Sequence, residues 1–189
     1  DEGPLIGGGG RFLLCADARI DNRDELAAIL SFPERFGRVS DAAVVLAAYE
    51  KWGNEAFERL YGAFAVIVWD AERQLVTMAR DAMGERPLHY LLGQGFIAVA
   101  SMPKGLHALP TIPYAARLAS MADFLTLMPE TGSDSFFEGI ERVKPGHVTE
   151  IDKHGAIRSW MHWQPALDEI RLPHASDYVD VTRATFDES

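Results

Sequence analysis

The stretch that decides the fold is residues 63–79, which read AFAVIVWDAERQLVTMA. Its two halves, residues 64–69 and 75–79, are rich in aromatic and β-branched side chains, and such residues favour strands. A polar segment from Asp70 to Arg73 separates the two halves and is typical of a turn. The stretch therefore predicts an antiparallel hairpin.

Further strands are predicted on both sides of this hairpin. Four glycines at Gly7 to Gly10 suit a hairpin tip, and the apolar residues 11–16 after them predict a buried strand. Gly93-Gln94-Gly95 and Asp152 to Gly155 are typical turns. These turns predict two more hairpins, which join residues 88–92 to 96–100 and residues 147–151 to 156–160.

Helices are predicted where apolar residues recur every three to four positions after a capping residue. The first begins at Asp21 or Asn22 and ends at Pro33. The second begins at Ser40 or Asp41 and closes at Gly53. Shorter helices are predicted at residues 54–60, 103–109 and 121–127, and a last one runs from Ser176 or Asp177 to the carboxyl terminus.

Composition narrows the class of protein. The chain has 48% hydrophobic residues, and its 28 acidic and 18 basic residues give a net charge of −10. Such a charge repels phosphates, so we expect neither nucleic acid nor a membrane surface as a partner. The single cysteine excludes an internal disulfide, and no Cys/His cluster has metal-ligand spacing. A cytoplasmic protein without a bound metal is the simplest expectation.

Six motifs follow one another over nearly the whole chain. They are ADARIDNRDEL at 16–26, Ser40-Asp41 with the helix to Trp52-Gly53, LYGAFA at 60–65 with Trp69-Asp70, ARDAMGERPLHY at 79–90, Ala100-Ser101 with Lys104, and FFEGI at 136–140 leading to KPGH at 144–147. This ordered set resembles the class II glutamine amidotransferase-like domain of the asparagine synthetase family, whose relatives make β-lactams or lasso peptides.

The resemblance implies an α+β fold of the N-terminal-nucleophile (Ntn) type. We expect a four-layer α/β/β/α sandwich of two antiparallel sheets, lacking its first strands. Residues 1–163 would form the amidotransferase-like domain. Residues 164–189 would form a linker and the first helix leading to an ATP-dependent synthetase domain.

The resemblance also implies a chemistry for the family. In active members an amino-terminal cysteine attacks the side-chain amide of glutamine, and the ammonia passes to the synthetase domain. Our sequence begins after the position of that cysteine, so we expect no catalytic residue in it. No cofactor is expected in this chain, since ATP and Mg²⁺ would bind the synthetase domain. The expected partners are that domain and, as a candidate ligand, glutamine.

Four residues stand at the family's glutamine-binding positions. Asp17-Ala18-Arg19 occupies the place of an Asn-Gly-Glu turn whose amide and glycine N–H help to hold an oxyanion. A carboxylate at Asp17 cannot donate a hydrogen bond, which argues against glutamine hydrolysis. Alternatively, Asp17 caps a turn and Arg19 pairs with an acidic neighbour. Asp41 matches the aspartate that holds the α-ammonium of glutamine, but it equally suits a helix cap.

Other conspicuous residues have structural interpretations. Cys15 lies in an apolar run, so we expect it to be packed in the core, where a thiol is hidden and unreactive. Arg80 and Asp81 are expected to form a structural pair at a strand end, with Gly84 and Pro87 shaping the loop after it.

Three hypotheses about function remain at this point. The first is a hydrolytically inactive amidotransferase-like domain that supports a synthetase domain. The second is part of an active glutamine-hydrolysing asparagine synthetase, which a Met-Cys-Gly start in the encoded protein would favour. The third is a scaffold that forms a homodimer through an exposed sheet face, because loss of an edge strand would expose unpaired backbone; a monomer in sedimentation would exclude it.

Overall fold

The predicted hairpins build most of the structure, a computed structural model that describes residues 3–31, 39–128 and 132–188. The strands of the first sheet are β1 (Leu5–Gly7), β2 (Phe12–Ile20), β3 (Gly62–Asp70), β4 (Leu75–Arg80), β8 (His147–Asp152) and β9 (Ile157–Met161). Those of the second are β5 (His89–Gly93), β6 (Phe96–Ala100) and β7 (Glu141–Arg142).

Both sheets are antiparallel. The first has the strand order β1-β2-β3-β4-β8-β9, and the second has the order β6-β5-β7. The three predicted hairpins are confirmed as β3–β4, β5–β6 and β8–β9. The glycine segment also forms the predicted hairpin tip, between β1 and β2.

Two helices cover one face of the six-stranded sheet, α1 (Arg23–Leu30) and α2 (Asp41–Trp52). Ser40 caps α2 as predicted, because its Oγ accepts a hydrogen bond from the N–H of Ala43 at 3.3 Å. The helix α1 ends at Leu30, and Ser31 adopts a left-handed conformation with φ of 56°. The predicted end at Pro33 lies outside the described residues.

The shorter helices differ from their predicted bounds. Residues 53–59 form a 3-10 helix rather than an α-helix. The helix α3 (Pro103–Leu106) is shorter than predicted, and α4 (Leu118–Leu125) begins three residues earlier than predicted. The last helix, α5 (Ala175–Glu188), follows residues 164–174, which contain no regular element. No helix in the described ranges combines the length and apolarity needed to cross a membrane.

Three apolar clusters hold the layers together. The largest lies between the first sheet and the helices α1 and α2, with Leu14, Val44, Phe57 and Val66 among its buried members. A second cluster lies between the two sheets, where Met78 and Ile151 pack with Leu88 and Tyr90. The third packs Leu106 of α3 and Ile140 on the outer face of the second sheet. The order of layers is therefore helices, sheet, sheet and helix, as expected for the α+β sandwich.

Candidate functional site

Asp17, Ala18 and Arg19 lie within β2 and not in a turn, so that part of the prediction is wrong. They pair with Ala65, Phe64 and Ala63 of β3 in a regular antiparallel register. Side chains alternate along a strand, so Ala18 faces the helices, while Asp17 and Arg19 face away from them.

The N–H of Ala18 points to the edge of β2 at the predicted site. Successive N–H groups of an antiparallel strand point to opposite edges. The N–H of Asp21 donates to the carbonyl of Tyr61, on the β3 side, at 2.8 Å. The N–H of Ile20 points the other way, and so does that of Ala18. Since β1 pairs only with residues 12–14, no described strand covers the Ala18 N–H.

The carboxylate of Asp17 forms an ion pair with Arg86, whose Nε lies 3.6 Å from Oδ1. Asp17 is 53% exposed and Arg86 is 39% exposed, so solvent screens the pair. Sequence reasoning missed this contact, because the only signal is opposite charge on two distant segments. It brings the loop after β4 over the predicted site.

Arg19 pairs with Asp21, as the alternative interpretation of this segment has it. Its Nε lies 3.0 Å from Oδ1 of Asp21. The hydrogen bond to Asp21 raises the pKa of Arg19 above its usual value. Both side chains are exposed, so this pair orders the end of β2 rather than forming a pocket.

Asp41 is the first residue of α2 and is 23% exposed. Its Oδ2 accepts a hydrogen bond from the N–H of Ile20 at 3.1 Å, and its Oδ1 pairs with the guanidinium of Arg23. Ser40, and not Asp41, provides the side-chain cap of the helix. Asp41 therefore ties α1 and α2 to the strand of Asp17. A carboxylate has about four acceptor positions, so these two contacts leave capacity for a further donor.

The loop from Asp81 to Pro87 has a rigid base. Asp81 is only 1% exposed. Its carboxylate accepts hydrogen bonds from the N–H groups of Phe64, Met83, Glu85 and Arg86, at 2.9 to 3.3 Å. The loop that carries Arg86 is thus fixed by a buried carboxylate.

Arg80 supports the same loop from the other side. Its Nε donates to the carbonyl of Arg86 at 2.7 Å, and its Nη1 donates to that of Val143 at 3.1 Å. Gly84 has a φ of 70°, and a Cβ there would come within 2.8 Å of the Pro145 side chain. Arg80, Asp81 and Gly84 therefore have the predicted scaffolding role, but the contacts described above join Arg80 and Asp81 to backbone groups rather than to each other.

The prediction that Cys15 belongs to the core is wrong. Cys15 is exposed, on the face of β2 that also carries Leu13 and Asp17. Its neighbour Leu14 is the residue that enters the core. The second sheet packs on β3, β4 and β8, and no described residue covers Cys15.

The residues that the structure describes contain no group of three or more His, Cys, Asp or Glu side chains that could hold a metal ion. The predicted site is a strand edge that includes the backbone donor of Ala18, near the carboxylates of Asp17 and Asp41.

Two antiparallel sheets lie between helices in this chain, and the predicted site lies at the edge of the first sheet. The glutamine phosphoribosylpyrophosphate amidotransferase of B. subtilis, solved with ADP and GMP, has the same fold. It superposes with a TM-score of 0.53 at 17% identity, over 86% of this chain and 31% of that chain.

The sequence comparisons identify the family. The profile of the glutamine amidotransferase domain matches residues 2–163, so the chain belongs to that family. Asparagine synthetase [glutamine-hydrolyzing] 3 of Bacillus subtilis is 31% identical over 130 residues, which cover 68% of this chain and 21% of the relative. Amidase chyE of Penicillium rubens is 36% identical over 129 residues, covering 66% of this chain and 17% of the relative. The chain thus spans about a fifth of the length of these relatives.

Proposed function

We propose that this amidotransferase domain does not hydrolyse glutamine and that it supports an ATP-dependent, amide-forming synthetase domain of the same protein. ATP and Mg²⁺ would be bound by that domain and not by this chain. The proposal concerns the whole protein, of which the family match describes one domain.

The observation that carries the proposal is the carboxylate of Asp17 beside the N–H of Ala18, which no described strand covers. In the family resemblance, these two positions hold a developing oxyanion with an amide and a backbone N–H. The backbone donor is retained, but the side-chain donor is replaced by a negative charge. Loss of one such donor alone raises the barrier by about 3 to 4 kcal/mol, and a nearby like charge raises it further.

The ion pair with Arg86 does not restore the missing donor. At 3.6 Å from Oδ1, Arg86 reduces the negative charge at Asp17 without converting the carboxylate into a hydrogen-bond donor. The guanidinium is also oriented by its contact with Asp17.

Two exposed apolar surfaces favour the proposal that this domain contacts and supports a synthetase domain. The helix α4 has no buried residue and exposes Phe124 and Leu125. The helix α5 exposes Val179 and Val181. Apolar side chains exposed along two helices are typical of surfaces that contact another domain. We assign these surfaces to the synthetase domain of the same protein.

A second candidate function is an active, glutamine-hydrolysing asparagine synthetase. The retained Ala18 N–H and the spare acceptor capacity of Asp41 favour it, and so does the function in the name of the Bacillus subtilis relative. In this case Asp17 would be tolerated, because the Ala18 N–H alone would hold the oxyanion. The same protein would then release glutamate from glutamine.

A glutaminase assay on the complete gene product distinguishes the two candidates. We expect no glutamate formation above the uncatalysed rate, with or without ATP. Glutamate formation that disappears when an amino-terminal cysteine is replaced by alanine would establish the second candidate. Integrity of the protein is checked by its unfolding transition.

A further inference from the structure

A cavity of about 600 Å³ lies at one end of the gap between the two sheets. The turns that join β3 to β4, β5 to β6 and β8 to β9 surround it. All the residues that line it belong to the described ranges. Its walls are apolar and aromatic side chains of both sheets, namely Trp69, Val76 and Ile151 of the first and Leu92, Phe96 and Ile97 of the second.

The cavity extends the apolar cluster between the sheets towards solvent. Ile67 and Val76 pack on that cluster, and Trp69 points to the same side as Ile67 because side chains alternate along a strand. Met78 in the cluster is fully buried, whereas Trp69 is 37% exposed and Leu92 is 41% exposed. A concave site whose apolar wall is still in contact with water favours a ligand that covers this wall.

Two glycines define the wall formed by the second sheet. A Cβ atom at Gly93 would lie 2.3 Å from Cε1 of Phe96, so the Phe96 ring lies directly over the backbone of Gly93. Gly155 has a φ of 79°, and its position brings the turn between β8 and β9 against the side chain of Leu92. The wall is thus ordered before a ligand binds, which lowers the entropic cost of binding.

Polar groups at the cavity have hydrogen-bonding capacity left for a ligand. Four polar residues form the rim, namely Gln74, Asp152, Lys153 and His154. The side chains of Trp69 and Gln74 make no hydrogen bond to any described residue. An indole N–H donor and a carboxamide, which both donates and accepts, are therefore available at the mouth of the cavity.

The formal charges of the rim cancel. Oδ1 of Asp152 accepts hydrogen bonds from the N–H groups of Ala156 and His154, at 2.9 and 2.8 Å. These bonds are the main reason that the pKa of Asp152 lies below its usual value, so Asp152 is an anion at neutral pH. Lys153 supplies one positive charge beside it. With histidine counted as neutral, the rim has no net charge and does not favour an ion of either sign.

We propose that this cavity binds a neutral, planar aromatic heterocycle. Stacked sheets lie about 10 Å apart, and side chains of both sheets enter the gap, so the space between the walls is narrow and suits a flat ring. Trp69 and Phe96 provide aromatic contacts for that ring. A hydrogen-bonding group at the edge of the ligand would pair with the N–H of Trp69 or the amide of Gln74.

The cavity is separate from the predicted glutamine site. Asp17 pairs with Ala65 of β3, and Trp69 lies four residues, or about 13 Å, further along that strand. Neither Asp17 nor Asp41 lines the cavity. The proposal therefore does not depend on whether the domain hydrolyses glutamine.

Isothermal titration calorimetry of the complete gene product at pH 8 tests the proposal with three indoles that differ in charge. They are indole-3-carboxamide, indole-3-carboxylate and indol-3-ylmethylammonium. We expect the neutral carboxamide to bind with a dissociation constant of about 1 mM or less, and about 5-fold more tightly than either ion. Equal or tighter binding of an ion would contradict a neutral ligand. Failure of the carboxamide to bind at about 5 mM would overturn the site.

A tryptophan variant locates the binding in the cavity. Trp69→Leu removes an aromatic wall and a donor, so we expect indole-3-carboxamide to bind about 10-fold more weakly. The matched control is Trp163→Leu, because Trp163 is 39% exposed and lies outside the cavity. We expect this control to keep the original affinity. Equal effects of the two variants, or no effect of Trp69→Leu, would contradict the proposal.

A leucine variant decides the question if Trp69→Leu does not fold. Leu92→Asn makes the wall of the second sheet polar, and we expect indole-3-carboxamide to bind about 5-fold more weakly. Leu109→Asn is the matched control, since Leu109 is also 41% exposed but does not line the cavity. Urea denaturation shows whether each variant is folded. Full affinity in a folded Leu92→Asn protein would contradict the proposal.

Discussion

Asp17 and Asp81 are carboxylates on adjoining parts of the same sheet, but their surroundings differ. Asp81 is buried and accepts hydrogen bonds from four backbone N–H groups. Asp17 is 53% exposed, and its one contact among the described residues is the long ion pair with Arg86. The difference shows that Asp81 holds the fold together, whereas Asp17 leaves the fold almost untouched and changes the chemistry of the site.

The largest expected effect is at Asp81. Replacing Asp81 with alanine leaves four backbone N–H groups without this acceptor, so we expect a loss of about 4 kcal/mol in the free energy of unfolding. Urea denaturation measures this loss. Asp81→Asn is the matched variant, and we expect a smaller loss because one acceptor oxygen remains. A loss below about 1 kcal/mol for Asp81→Ala would contradict the conclusion that Asp81, unlike Asp17, stabilises the fold.

Asp70 tests whether a buried carboxylate gains its stabilising effect from its charge. Asp70 is buried and bonded to Arg11, which is the main reason that its pKa lies below the usual value. We expect Asp70→Asn to lower the free energy of unfolding by about 2 kcal/mol at pH 7. A carboxylate with a lowered pKa stabilises the fold above its unfolded pKa.

The measurement is the difference in the free energy of unfolding between the original protein and Asp70→Asn, taken as a function of pH. The unfolded pKa of an aspartate is 3.8, and the stabilisation is lost as the pH falls through the lower pKa of the folded state. The gap between the original protein and Asp70→Asn should shrink below about pH 4. A gap that stays constant down to pH 2 would show that charge has no part in it.

Two histidines, His89 and His162, are expected to make stability depend on pH, but with a smaller effect than Asp70. His162 donates to the carbonyl of Arg80 at 2.9 Å and packs near Phe57 and Phe64. Burial is the main reason that its pKa is lowered, and the same holds for His89. Below the unfolded pKa of 6.5 the unfolded chain binds more protons than the folded chain, so stability falls as the pH decreases.

We expect the free energy of unfolding to drop by about 1 kcal/mol between pH 7 and pH 5 through these two rings. His162→Phe removes one of the two titrating groups, so the slope of stability against pH should become less steep. Thermal unfolding at several pH values measures the slope. An unchanged slope would assign the pH dependence to other groups.

The smallest stability effect is expected at Asp17. An exposed ion pair at 3.6 Å contributes little, so Asp17→Asn should change the free energy of unfolding by less than about 0.5 kcal/mol. A loss of about 2 kcal/mol would show that Asp17 is a structural residue, contrary to the comparison with Asp81. The same denaturation experiment as for Asp81 measures it.

The hairpins could be predicted because their signals are local. Aromatic and β-branched runs interrupted by Asp- or Gly-containing turns define β3–β4, β5–β6 and β8–β9 without reference to the rest of the chain. The strands β1 and β7, with three and two residues, were not predicted. Strands that short form because a partner strand is present, and no periodicity marks them.

The errors in the site have a common physical cause. The run Phe12 to Cys15 is apolar throughout, so the alternation that exposes Cys15 is not visible in the sequence. Which face of β2 is covered depends on how far the second sheet extends. The contact between Asp17 and Arg86 likewise depends on the path of a distant loop. Asp41 could be placed at a helix start, but its bond to the Ile20 N–H required the structure.

The assay of glutamine hydrolysis by the complete gene product and by its Asp17→Asn variant tests the central claim most directly. We predict no glutamate above the uncatalysed rate for the original protein. If the encoded protein carries an amino-terminal cysteine, Asp17→Asn should raise the rate by about 100-fold, because it restores a donor. Glutamate formation by the original protein that requires such a cysteine, and that Asp17→Asn does not increase, would contradict the claim.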